Sequence, residues 1–215
     1  MHGLVEGRRD AAFRRILNRA AMVLPDGMPM VWFGRLAGRR GMCRVYGPGF
    51  MELVCRESAT VAIRHFFYGG APGVADELAR RAAARFPGLQ VAGTHCPPFR
   101  PLTERELDEV AAQINGAQAD IVWVGLSTPK QEHWMDLARS RLGARVLISV
   151  GAAFDYHTDR LRKAPGAVQA AGLEWAYRLM QEPGRLWRRY AVNNPRFLYF
   201  AALQLSGLAD FPIEG

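Results

Sequence analysis

Several places along the chain carry residue types whose spacing suits chemistry. Asp26 lies in Pro25-Asp26-Gly27, a turn sequence that fixes a carboxylate. A carboxylate held within hydrogen-bond reach of a proton can act as a general base; the alternative is that Asp before Gly merely shapes the turn and caps a helix. Gly69-Gly70-x-x-Gly73 separates an apolar run from an alanine-rich helical pattern. Its backbone can approach a diphosphate while the following helix dipole favours negative charge, with a plain turn as the alternative. The glycine spacings of a P-loop and of a dinucleotide fingerprint are both absent. In Gly125-Leu126-Ser127-Thr128-Pro129-Lys130-Gln131-Glu132 the last three residues fall in the first turn of a helix. A lysine there opposes the dipole unless an anion is near; the alternative is three solvated surface side chains. Asp155 follows Gly151-Ala152-Ala153-Phe154 and can orient a sugar hydroxyl or cap a turn. Arg178, Arg185 and Arg188 follow roughly helical spacing across Pro183, interleaved with Trp175, Trp187 and Tyr190. That mixture suits lipid head groups or a diphosphate, or else a sheet-packed helix with a solvated face. His65 sits in an apolar strand and reads as a core residue. His95 and Cys96 are neighbours on extended chain and point to opposite faces, which argues against a dyad.

Positioning these residues needs a scaffold, and short apolar segments alternating with longer helical patterns predict an α/β fold with an open, mostly parallel, Rossmann-like sheet. Strands are expected at 22–24, 61–68, 89–93, 120–124 and 145–150. Helices are expected at 28–36 and 74–86, then from Thr103, whose pairing with Glu106 forms a capping box, through Ile114, and from Pro129. After Gly151 the alternation gives way to arginine- and aromatic-rich helical patterns at 168–180 and 186–205, the second interrupted at Pro195. The expected division is an α/β core at 1–158 and a helical appendage at 159–215 that completes the site and contacts membrane. Open parallel sheets collect ligands where their strands end, which is where the loops containing Asp26, Gly69 to Gly73 and Gly125 to Glu132 begin.

The 215 residues suffice for one well-buried α/β core, and 49% hydrophobic content with Gly 22 and Pro 13 suits a folded chain with many tight loops rather than a disordered one. A formal charge of +8 favours phosphate-bearing substrates, anionic lipid or nucleic acid. Basic residues concentrate between Arg160 and Arg196, where the only acids are Glu174 and Glu182. Cys43, Cys55 and Cys96 are scattered, which argues against a disulfide framework or structural zinc. The first 15 residues lack the apolar core of a signal peptide, and no apolar run approaches the roughly 20 residues that span a bilayer. A cytoplasmic protein touching membrane from the side is expected. Two other classes stay open on composition alone: a non-catalytic basic nucleotide- or RNA-binding protein, although no nucleic-acid module motif is present, and an inactive membrane-associated assembly partner.

Taken together, Leu24-Pro25-Asp26-Gly27-Met28, Gly69-Gly70 with Pro72-Gly73, Val124-Gly125-x-x-x-Pro129-Lys130-Gln131-Glu132, Gly151-x-x-Phe154-Asp155, Arg162-Lys163-Ala164-Pro165 and the run from Glu174 to Tyr190 make a chain that resembles the bacterial WecG/TagA/CpsF glycosyltransferase family. The resemblance covers nearly the whole sequence. It implies an inverting, metal-independent enzyme without cofactor, moving a hexose or N-acetylhexosamine from a UDP-α-sugar to a polyprenyl-diphosphate-linked saccharide. Its place would be the inner face of the cell membrane, against anionic lipid, with no nucleic-acid partner; a homo-oligomer is compatible with it. By the same resemblance Asp26 corresponds to the base, Arg44 to a basic residue near the site and Gln131 to a pocket residue. Arg178, Arg185 and Arg188 correspond to arginines that complete the site and hold a diphosphate. The family's additional first strand, bearing Thr and Asn, has no counterpart ahead of the opening helix pattern. His95-Cys96-Pro97-Pro98-Phe99 replaces a His-Gly-Tyr-Phe type of loop and resembles an exopolysaccharide-associated branch, for which the donor would be UDP-glucose rather than UDP-N-acetylmannosamine.

Overall fold

The computed structural model describes residues 1–209; the last six residues of the expected appendage lie outside the described residues. The chain opens with three helices, α1 (His2–Arg9), α2 (Ala11–Arg19) and α3 (Met28–Leu36). It continues through α4 (Gly47–Ser58), β1 (Arg64–Gly69), α5 (Val74–Arg85), β2 (Gln90–His95), α6 (Glu104–Gly116), β3 (Ile121–Gly125), α7 (Lys130–Ala138), β4 (Val146–Ser149) and α8 (Ala153–His157). It closes with α9 (Gly166–Ala170), α10 (Glu174–Gln181) and α11 (Pro183–Leu205). Residues 47–162 form one compact unit, and residues 1–46 group with the described residues from 163 onward in the other.

Within residues 47–162 the four strands are all parallel, in the order β2-β1-β3-β4. The fold class is therefore α/β with an open parallel sheet, as the periodicity predicts. Central β1 and β3 are buried almost throughout, whereas the edge strands β2 and β4 are half-exposed. Alternation sorts their side chains by face. Phe67 and Trp123 pack with Met51, Leu78 and Phe154, under α4, α5 and α8. Phe66, Tyr68, Val122 and Val124 pack with Leu107, Ile114 and Trp134, under α6 and α7. The capping box is present: Thr103 Oγ1 accepts from the Glu106 N–H at 3.3 Å while the Thr103 N–H donates to Glu106 Oε2 at 2.8 Å.

His65 is fully buried and its hydrogen bonds settle its form. Trp123 Nε1–H donates to Nδ1 at 2.9 Å, so the ring proton sits on Nε2 and points to Ser58 Oγ at 2.8 Å. Ser58 in turn donates to the Val54 carbonyl at 2.6 Å. Burial disfavours the imidazolium and lowers the His65 pKa to about 4.

The other unit is helical. Asp10 caps α2 through the N–H groups of Ala12 and Phe13, α1 packs on α2 and α11, and α10 packs on α9 and α11. Three expectations need correction here. Residues 22–24 form no strand: their side chains are exposed, and the neighbouring backbone contact is a single bond from the Val45 N–H to the Pro25 carbonyl at 3.0 Å. The pattern at 168–180 is two helices, because Gly172 adopts φ +69° with its α-carbon against Trp32. Helix α11 runs through Pro195 without interruption; Leu186, Asn193 and Phe197 are buried along it and anchor both sides of the proline.

Candidate functional site

Each unit carries its own candidate groups. In residues 47–162, β1 and β3 are neighbours, but the helices that follow them cover opposite faces of the sheet, α5 one and α7 the other. Adjacent strands whose connections depart to opposite faces define a topological switch point, the crevice where open α/β sheets bind ligands. Gly69 ends β1 and Gly125 ends β3, paired in register, and the Gly70 N–H donates to the Gly125 carbonyl at 3.0 Å. A methyl group on Gly69, at φ +126°, would stand 2.6 Å from that carbonyl, and one on Gly125 would stand 2.7 Å from the Phe154 ring. These two glycines let backbone meet backbone and ring. Gly73, at φ +79°, heads α5 with open space around its α-carbon and is the glycine of the three that offers room for a ligand.

The loop after β3 is braced by Gln131, which is 6% exposed. Its Oε1 accepts from the Gly151 N–H at 3.1 Å, and its Nε2 donates to Thr128 Oγ1 at 3.2 Å and Glu132 Oε1 at 3.0 Å. Gln131 thus ties the loops that follow β3 and β4 and fixes the shape of the crevice. Glu132 Oε1 also accepts from Thr128 Oγ1 at 2.9 Å, while Oε2 is buried and accepts nothing from the described residues. Pro129 is the N-cap of α7 rather than its first residue. Lys130 is exposed, its Nζ 4.7 Å from the centre of the Phe99 ring. Asp155 lies in the first turn of α8.

In the helical unit Asp26 occupies the turn before α3, where Gly27 is the N-cap and Pro29 sits in the first turn. The Asp26 side chain is 71% exposed, with Oδ1 3.9 Å from Arg44 Nη2. Arg44 donates from Nε to the Asp26 carbonyl and from Nη2 to Glu174 Oε2, both at 2.5 Å. Its guanidinium lies 4.6 Å from the centre of the Tyr46 ring. The Asp26 pKa is raised: the surrounding protein pushes it up, and Glu174 adds to that, while Arg44, the Met1 amino group and Arg178 pull it down. With so much of the side chain in contact with water, solvent moderates each of these influences. A small recess beside the turn, about 60 Å³, is lined by Gly27, Met28, Arg44, Gln169, Glu174 and Trp175, among others. It has room for a few water molecules, not for a sugar nucleotide.

Both acids of the basic stretch are paired with arginines. Arg178 Nε lies 3.5 Å and Arg185 Nη2 2.6 Å from Glu182 Oε2, and Arg188 stacks over the Trp187 ring at 5.2 Å. The structure therefore brings Asp26, Arg44 and Arg178 into one charged neighbourhood. The part played by Glu174 escapes sequence reasoning, although its being one of two acids among many arginines is a signal that it has a partner.

Against known proteins, residues 1–210 match the family described as the glycosyl transferase WecG/TagA/CpsF family. The chain is similar to N-acetylglucosaminyldiphosphoundecaprenol N-acetyl-beta-D-mannosaminyltransferase of Bacillus spizizenii, 30% identical over 193 residues that cover 90% of this chain and 72% of the relative. A protein of the same name from Bacillus subtilis (strain 168) is 28% identical over 189 residues, 88% of this chain and 71% of the relative.

Proposed function

The chain belongs to the WecG/TagA/CpsF glycosyltransferase family, and on that premise we propose that it transfers a hexose or N-acetylhexosamine from a UDP-sugar to a polyprenyl-diphosphate-linked saccharide, with inversion, in the making of a cell-surface polymer. The relatives' names support the acceptor, a saccharide on diphosphoundecaprenol, and a β-linked product; from an α-linked donor that product requires inversion. The observation that carries the reading is Asp26, a carboxylate fixed on a turn and open to solvent beside the Arg44–Glu174 pair.

In a single displacement the acceptor hydroxyl oxygen attacks the anomeric carbon as the bond to UDP breaks. Asp26 takes the hydroxyl proton, a contribution typically of about 10²- to 10⁴-fold. Negative charge grows on the departing diphosphate, and guanidinium donors from Arg178, Arg185 or Arg188, released from Glu182 and Trp187, bind it more tightly as it forms. Within residues 47–162 the switch-point loops, with Gly70, Gly73 and Lys130, form a separate candidate site for an anionic group. The sequence contains no Asp-x-Asp, so these cations and helix N-termini take the part of a divalent ion, and turnover is expected to survive EDTA.

Attachment to the inner face of the membrane is assigned to α11. No helix among the described residues is long and apolar enough to cross a membrane, but Trp187, Leu198 and Tyr199 stand more than half exposed among arginines, which suits an interfacial helix. Replacing those three by serine should release the protein from anionic liposomes; removing α11 whole would also strip the buried Leu186 and Phe197 from the fold. The deciding experiment incubates the protein with a panel of UDP-sugars and a synthetic lipid-diphosphate monosaccharide. A lengthened lipid supports the reading, and its absence with every donor counts against it.

A further inference from the structure

Arg44 has two carboxylates within reach and hydrogen-bonds only one of them. Its Nη2 donates to Glu174 Oε2 at 2.5 Å, while Asp26 Oδ1 is 3.9 Å away, beyond a hydrogen bond. The Arg44 and Glu174 side chains are each 17% exposed, against 71% for Asp26. The pair is therefore shielded from water and little screened, whereas Asp26 meets solvent. The remaining Arg44 contacts, Nε to the Asp26 carbonyl and the guanidinium face over Tyr46, fix the cation at the turn. Glu174 is the first residue of α10, a helix that also carries Arg178.

We propose that Glu174 is a positioning residue: by taking the Nη2 donor of Arg44 it keeps that cation beside the Asp26 turn yet off the Asp26 carboxylate, which stays open to accept a proton. This rests on the reading of Asp26 as the base. The charged groups acting on Asp26 are Arg44, Glu174, the Met1 amino group and Arg178. Glu174 opposes Arg44 in that set, so neutralising it removes one upward influence and releases an undivided cation onto the carboxylate. Asp26 then becomes a weaker base.

The test titrates the Asp26 carboxyl carbon by NMR in the full chain, with the signal assigned by its absence in Asp26→Asn, beside pH–rate profiles. In Glu174→Gln the Asp26 titration and the acid limb of kcat should both move about one pH unit or more toward acid, the usual size for an Asp gaining an arginine, with kcat lowered on the plateau. Glu174→Asp keeps the charge and should titrate near the wild type. The double variant Arg44→Met/Glu174→Met removes a pair of net zero charge, in a form that commonly preserves a fold, and should leave Asp26 close to its wild-type position. Identical Asp26 titrations in wild type and Glu174→Gln, alongside an inactive Asp26→Asn, would overturn the role of Glu174 alone. Near-normal turnover in Asp26→Asn would instead overturn the base assignment on which it rests.

Discussion

At the ends of β1 and β3 position is held by backbone packed on backbone, whereas at the Asp26 turn it is held by charge. Gly69 and Gly125 tolerate no added atom, and Gln131 locks the next loops with bonds from both ends of its amide. Around Asp26 an arginine divides itself between a carbonyl, a carboxylate and an aromatic ring. Contacts of backbone on backbone carry no titratable group of their own. A carboxylate set among charges can be tuned, and a proton acceptor needs that tuning.

The contrast can be broken by substitution, and the largest effect belongs to the backbone region. Gly69→Ala forces a left-handed backbone on alanine and drives its methyl into the Gly125 carbonyl, so a loss of roughly 3 kcal/mol or more is expected in urea denaturation. Acid should act through His65 nearly as strongly. Its folded pKa of about 4 lies below the ordinary value of 6.5, so between those values the unfolded chain binds the extra proton. Stability from this group is complete above pH 6.5 and is lost as pH falls toward 4, about 3 kcal/mol in all. A folded His65→Gln protein should show a flatter dependence over that window. Thr103→Ala, which removes one half of the α6 capping box, should cost about 1 kcal/mol. The smallest stability effect belongs to the charged region. Arg185 is half-exposed and its pair with Glu182 is a surface one, so Arg185→Ala should change unfolding by about 0.5 kcal/mol or less while weakening the binding of UDP or lipid diphosphate in calorimetry. Equal binding by that variant would remove Arg185 from the diphosphate site.

Much of the sheet unit is legible because its signals are local. Continuous apolar runs mark β1 and β3, Thr103 with Glu106 marks the start of α6, and glycines mark the strand ends. Helix α4 carries no such mark: it opens on Gly47-Pro48-Gly49 and rests on the burial of Met51 and Cys55 against the sheet. A strand at 22–24 fails for the complementary reason, that apolar residues without a neighbouring strand do not pair. At the charged turn, Pro25-Asp26-Gly27 is readable, but its partners are not. Arg44 is 18 residues away and Glu174 a further 130, and no periodicity reports a contact of that range.

The central claim is that Asp26 takes the acceptor's proton, and turnover by Asp26→Asn tests it most directly. The amide keeps the shape of the turn, and as the Asp26 side chain is largely exposed, thermal stability and UDP affinity should stay near wild type. Sugar transfer to a lipid-diphosphate saccharide should fall by about 10²-fold or more. Near-normal transfer by a folded Asp26→Asn protein would contradict the account and move the search for the base to Asp155 or Glu132.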